Sequence, residues 1–187
     1  LTRKPRIDLP RLVDGRSIGI ATHLVISQLD LAKPVTEEAI EKIKEKLLAD
    51  DIITEDTAQR IDAKSIVNFF ESRLGRTILD AYPAVRREWS FSFTIPASQW
   101  QPDNLDKLQS RIGCDEDTII VQGIIDMLVQ TPQGLLIVDF KTDNITAKQA
   151  SERAELYCRQ LEIYGKAATA ILKSKLAGKW LHFLTPG

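Results

Sequence analysis

Cysteine is scarce in this 187-residue chain, with only Cys114 and Cys158. Two thiols are too few for a structural zinc site made of cysteine alone, and nothing suggests a disulfide framework. Long apolar runs are missing too. No stretch reaches the roughly 20 residues a membrane-crossing helix needs, and none reads as a signal peptide. There is no glycine-rich phosphate loop of the P-loop or dinucleotide type, so a nucleotide-driven motor is unsupported within these residues. His182 stands in a strand-like run with no nucleophile motif beside it, so a Ser/His/Asp hydrolase is also unsupported. Repeats and low-complexity segments are absent. Neither sign of charge is in excess: 25 basic residues face 26 acidic ones, so the whole-chain charge predicts no polyanion partner.

What the chain does have is apolar matter, 43% of its residues, enough for one well-cored domain over 1–187. Its charge is uneven. Residues 1–16 carry five bases (Arg3, Lys4, Arg6, Arg11, Arg16) against Asp8 and Asp14. Residues 37–62 carry nine acids against four bases, which reads as a solvated helix face turned away from any nucleic acid. The chain starts at Leu1 rather than Met, and Gly187 follows an apparent strand directly. Both ends read as cuts through something longer.

Periodicity supplies the elements. Ser17 to Leu29 reads as a helix carrying His23. Thr36 is an expected N-cap, with Glu37 and Glu38 in the first turn and Ile40, Ile43 and Leu47 at helical spacing. A short helix is expected over Thr54 to Arg60. Another starts at Asp62, with Ile66, Phe69, Phe70 and Leu74 inside and Gly75 near its end. Pro83 closes this helical insert, about 33–82. Val85 to Ile95 alternates as a strand, with Glu88, Ser90, Ser92 and Thr94 on one face and Trp89, Phe91 and Phe93 on the other. Pro96 to Cys114 reads as loop. Thr146 to Lys173 is a long helix with Leu156, Leu161, Ile163, Ala167 and Ile171 among its apolar positions. Trp180 to Leu184 is a last strand. Helix, helical insert, three strands, helix, strand is an α/β order: a mixed sheet flanked by helices.

Between the first strand and the long helix lies the most informative stretch. Ile119 to Val129 and Leu135 to Val138 are apolar strand runs, and Thr131-Pro132-Gln133-Gly134 between them is a turn signal. Such a hairpin brings Asp126 beside Asp139. Period-two alternation puts Asp139 and Lys141 on one side. Two carboxylates and an ammonium at the end of buried strands are costly unless they pair or hold a metal. Spacing alone favours a surface ion pair for Asp139 and Lys141. The apolar Ile137-Val138 argues otherwise, because it places Asp139 at the end of a core strand. Carboxylates suit Mg²⁺, and a lysine there could orient or deprotonate a water or stabilise phosphate charge. His23 taken alone reads as a helix-surface or satisfied core histidine, and Glu88 as an exposed strand residue. Gln160 and Tyr164, four apart, share a helix face with Tyr157 one turn earlier, as ordinary boundary residues also do.

In their order, these segments resemble the PD-(D/E)XK nuclease superfamily, and within it the RecB-like nuclease domain. The resemblance is strongest to the C-terminal nuclease domain of bacterial AddA-type helicase–nucleases. It rests on Gly19-Ile20-Ala21-Thr22-His23, Phe70 to Arg76, Arg87-Glu88-Trp89-Ser90-Phe91, Gln122-Gly123-Ile124-Ile125-Asp126, Val138-Asp139-Phe140-Lys141-Thr142-Asp143, and Tyr157 to Tyr164. It covers nearly the whole chain.

The resemblance implies a restriction-endonuclease-like core and a metal-dependent deoxyribonuclease, acting mainly on single-stranded DNA during double-strand-break processing and recombinational repair. It implies Mg²⁺ or Mn²⁺ bound by His23, Asp126, Asp139 and the backbone carbonyl of Phe140. Lys141 would be the catalytic lysine, working with Asp126, Asp139 and a supporting Glu88. Gln160, Tyr164 and Tyr157 would contact DNA or order the site. Also implied are helicase domains of the same parent chain, a bacterial cytoplasmic location and an AddB-type partner subunit. Phe140 stands where tyrosine is common, and Trp89 where a small residue or proline is common. Some relatives carry a four-cysteine iron–sulfur cluster, and two cysteines argue against one here. A non-cutting DNA-binding or scaffolding module and a free-standing exonuclease of the same type remain alternatives.

Overall fold

Polar caps start the helices where the sequence places them. In this computed structural model, which describes residues 15–96, 118–142 and 147–184 but not the side chains of 147–156, the first helix is α1, Gly15–Gln28. Thr36 Oγ1 accepts from Ala39 N at 3.2 Å and opens α2, Glu37–Ala49. Thr54 Oγ1 accepts from Thr57 N at 3.3 Å and opens α3, Glu55–Arg60. Asp62 Oδ1 accepts from Ser65 N at 3.1 Å and opens α4, Ala63–Glu71. All nine acids of the 37–62 segment are exposed, as expected of a solvated face. The basic segment before Gly15, the expected loop after Pro96 with Cys114, and Asp143 lie outside the described residues.

The helix expected from Asp62 past Leu74 is in fact two. Ser72 ends α4 and caps α5, Arg73–Asp80, accepting from Gly75 N at 3.1 Å. Gly75 therefore sits in the first turn of α5 rather than near the C-terminal end of one long helix. A Cβ there would lie 2.2 Å from the Phe69 carbonyl oxygen, so only glycine lets α5 fold back this tightly on α4.

Four strands follow: β1 Val85–Pro96, β2 Thr118–Thr131, β3 Gly134–Lys141 and, after helix α6 (Ala147–Leu172), β4 Leu176–Phe183. They pair in the order β1-β2-β3-β4. The first two pairings are antiparallel and the last is parallel, with α6 as the crossover a parallel pair requires. This is the expected mixed sheet flanked by helices. The last strand begins at Leu176, earlier than the Trp180 read from the sequence. It lies at the sheet edge, where Leu176 packs on the α6-side layer while Lys175 and Lys179 flank it, so the short apolar signal starts only at Trp180. Ile171, counted among the apolar positions of α6, is 40% exposed near the helix end. No helix among the described residues is long and apolar enough to cross a membrane.

Two hydrophobic layers cover the sheet. One gathers α1–α5 with Met127, Val129, Val138 and Phe140; the other gathers α6 with Phe91, Val121, Ile125, Leu128, Leu135 and Ile137. Strict alternation would keep Val121, Ile125, Met127 and Val129 on one face. The phase slips at Asp126 instead. On β1 it slips at the same level: Val85 packs on the α1–α5 side, whereas Trp89, Phe91 and Phe93 pack on the α6 side. Between them Glu88 has φ +49°, a left-handed conformation uncommon outside glycine. Arg87 pairs with Met127 and Trp89 with Ile125, so Glu88 and Asp126 lie opposite each other. The unbroken alternation expected from Val85 to Ile95 is thus replaced by a change of layer at Glu88.

Candidate active site

The phase slip sets Asp126 at the junction of the two layers. Its Oδ1 lies 3.2 Å from His23 Nδ1 on α1, and its Oδ2 accepts from the Phe140 N–H at 2.7 Å. Glu88 completes a trio: one ligand atom each from His23, Glu88 and Asp126 all lie within 4.8 Å of one another. Asp139 is not part of that trio. It is 2% exposed, and its Oδ2 is 2.8 Å from Lys141 Nζ. The angle falls short of a hydrogen bond, leaving that buried oxygen without a well-directed donor among the described residues.

A polar relay leads from Lys141 onto α6. Lys141 Nζ donates to Gln160 Oε1 at 3.4 Å, and Gln160 Nε2 donates to the Tyr164 hydroxyl at 2.6 Å. The ammonium also sits 4.3 Å from the centroid of the Tyr157 ring, a cation–π contact. Tyr164 packs edge-on to Phe91, with centroids 5.6 Å apart. Gly123 makes room for that pair: a Cβ there would lie 2.8 Å from Phe91 Cζ and 3.2 Å from Tyr164 Cε1. Trp89 packs with the α6 layer, 6.1 Å from Phe91 between ring centroids. Beside the site, an open cavity of about 540 Å³ is bounded by Arg16, His23, Phe140, Lys141, Thr142 and Tyr157.

The electrostatics follow from burial and crowding. Burial raises the pKa of Asp139, and the Asp126 carboxylate adds to this against the pull of Lys141. Burial and Asp126 raise Glu88 in the same way, with His23 opposing. Burial disfavours charge on His23, but the hydrogen bond to Asp126 and the fields of Asp126, Glu88 and Asp139 together outweigh it, so its pKa is raised. Burial likewise disfavours charge on Lys141, and Asp139 overcomes it, so Lys141 stays a cation. Burial raises the Tyr164 phenol. The site is thus a knot of negative charge short of cations.

A family model described as the PD-(D/E)XK nuclease superfamily matches residues 2–185. The chain belongs to that superfamily. Among curated proteins it is similar to the AddA-type ATP-dependent helicase/nuclease subunit of Moorella thermoacetica, 34% identical over 169 residues, which covers 90% of this chain and 11% of that relative. It is 35% identical over 167 residues to the protein of the same name in Lactiplantibacillus plantarum, covering 89% of this chain and 13% of that relative. The counterpart in Listeria monocytogenes serotype 4b (strain F2365) is 29% identical over 192 residues, 97% of this chain and 15% of that relative. The chain therefore spans a small part, 11–15%, of the length of these relatives.

Nucleases of this superfamily generally use a divalent metal, and the donors here fit one. The trio offers one imidazole and two carboxylates, and the ill-satisfied Asp139 oxygen adds a further hard donor at the same strand ends. Of the residues expected at the site, His23, Glu88, Asp126, Asp139, Phe140, Lys141, Tyr157, Gln160 and Tyr164 all converge here through the contacts above. Sequence reasoning gave no role to Arg87. Its guanidinium donates to the Ile26 carbonyl at 3.3 Å and to the Leu29 carbonyl, both at the end of α1. A base in a strand carries no local signal of such a contact.

Proposed function

We propose that this chain is a metal-dependent DNA nuclease that hydrolyses phosphodiester bonds, mainly in single-stranded DNA. Support comes from one observation above all. A buried aspartate with an under-satisfied oxygen is paired to a lysine at the same strand ends where a histidine and two more carboxylates gather. His23, Asp126, Asp139 and the Phe140 carbonyl would hold Mg²⁺ or Mn²⁺, with Glu88 supporting them. When bound, the ion would polarise a phosphoryl oxygen and acidify a water. Lys141 is held as a cation by Asp139, within reach of the cavity where a phosphate would sit, and stabilises charge growing on the phosphoryl group. Gln160 and Tyr164 fix the direction of that ammonium, and the Tyr157 ring limits its swing.

The similarity to AddA-type subunits supports a wider reading. The chain would be one nuclease domain, with a helical insert, of a longer bacterial cytoplasmic protein. Helicase domains would lie in the same chain, and an AddB-type subunit would join them in processing double-strand breaks for recombinational repair. The direct test is incubation of the purified chain with single-stranded DNA and Mn²⁺. Degradation is expected, and Asp139→Ala should reduce it at least about a hundredfold. Undiminished degradation by that variant would sink the assignment. A non-cutting module would give no degradation from either protein.

A further inference from the structure

We propose that Arg87 is a positioning residue of this site: by gripping the main chain at the end of α1, it holds β1 so that Glu88 turns toward His23 and Asp126. The inference rests on reading this site as a metal centre that Glu88 supports. Consecutive strand residues normally point to opposite faces. Arg87 and Glu88 nevertheless both reach α1, Arg87 at the Ile26 and Leu29 carbonyls and Glu88 beside His23. What permits this is the left-handed backbone of Glu88, φ +49°. Such a conformation in a non-glycine residue persists only where its surroundings over-determine it.

Arg87 is the neighbouring side chain placed to do so. Carbonyls at a helix C-terminus carry partial negative charge, and Arg87 Nη1 donates to both the Ile26 and the Leu29 carbonyl, the former also accepting from Leu29 N at 3.3 Å. Ile26 lies three residues after His23, one turn along the same helix. The grip therefore ties the strand carrying Glu88 to the helix carrying His23, within a turn of the imidazole. Arg87 contributes no ligand atom to the trio, so any effect on metal binding runs through the strand that carries Glu88.

The test is Mn²⁺ affinity of the chain, read from the electron paramagnetic resonance signal of free Mn²⁺, with thermal unfolding recorded alongside. Arg87→Ala and Glu88→Gln should each weaken binding about 10–100-fold, the range typical of lost outer-shell support. The double variant should bind no more weakly than the worse single one, because Arg87 acts through Glu88. Arg87→Lys, which keeps the charge on a shorter side chain, should fall between. If Arg87→Ala does not fold, the same coupling is read in Arg87→Lys with and without Glu88→Gln. Losses that multiply in the double variant overturn the inference. So does unchanged affinity in the Arg87 variants while Glu88→Gln binds weakly. Absence of Mn²⁺ binding by the unsubstituted chain overturns the metal-centre reading, and this inference with it.

Discussion

The layers on the two sides of the sheet are built differently. On the α1–α5 side, Ile40, Leu47, Ile66, Phe69, Phe70 and Ile78 are all at most 2% exposed, and the Phe69 ring packs against Phe70, Phe140 and His182. On the α6 side the strands supply Ile125, Leu128, Leu135 and Ile137, and the helix itself adds the small Ala167 and Ala168, with Leu161 and Tyr164 7% and 8% exposed. The closed layer presents His23, and by the change of phase at Glu88 it also receives that carboxylate. The α6 layer presents the Gln160–Tyr164 relay and the Tyr157 ring to Lys141. His23 thus comes from the α1–α5 layer, and the groups that hold Lys141 come from α6. A metal centre gains from ligands fixed by packing, whereas one flexible ammonium can be steered by a few hydrogen bonds.

The largest expected effect tests that asymmetry in stability. Phe69→Ala should cost about 3–5 kcal/mol, and Leu161→Ala, which removes a smaller side chain, about 2. Urea unfolding of both variants measures this, and equal costs would break the comparison. Next comes the division of chemistry. Lys141→Ala should lower cleavage about 10²–10³-fold yet keep the thermal stabilisation by Mn²⁺, whereas His23→Ala should lose that stabilisation. Loss of the Mn²⁺ shift in both variants would merge the two sides into one function. Smaller still is the strain at the layer change. Glu88→Gly should leave the fold as stable or raise it by up to about 1 kcal/mol while weakening Mn²⁺ binding. A marked fall in melting temperature would show that the left-handed turn costs little.

The smallest effect concerns His182, half-buried against Phe69 and Phe140, with its pKa lowered by desolvation there. Below the ordinary histidine pKa the unfolded chain binds a proton that the folded chain resists. The stability from this neutral ring is therefore present above about pH 6.5 and lost as pH falls toward the lowered value. Unfolding midpoints at neutral and mildly acidic pH should converge in His182→Gln relative to the unsubstituted chain. An unchanged difference would place the acid sensitivity elsewhere.

Much of this could be read before any coordinates. Thr36, Thr54 and Asp62 announced their helices because a cap acts over three residues. The Thr131–Gly134 turn set the hairpin register, which placed Asp126 across from Asp139 and left Lys141 beside it. The break at Ser72 was hidden, because Ile66 to Leu74 keeps helical spacing through it and only the approach of α5 to Phe69 makes glycine necessary at 75. Arg87 was hidden for a similar reason: its partners are 58 and 61 positions away.

Local patterns act within a few residues, so element order, hairpin register and the Asp139–Lys141 pairing follow from the chain's own spacing. The gathering of His23, Glu88 and Asp126 does not. It depends on β1 and β2 changing layers at the same level. That change arises where helices distant in sequence compete to cover the same two strands, and it sets Glu88 in a backbone conformation that no period-two pattern foretells.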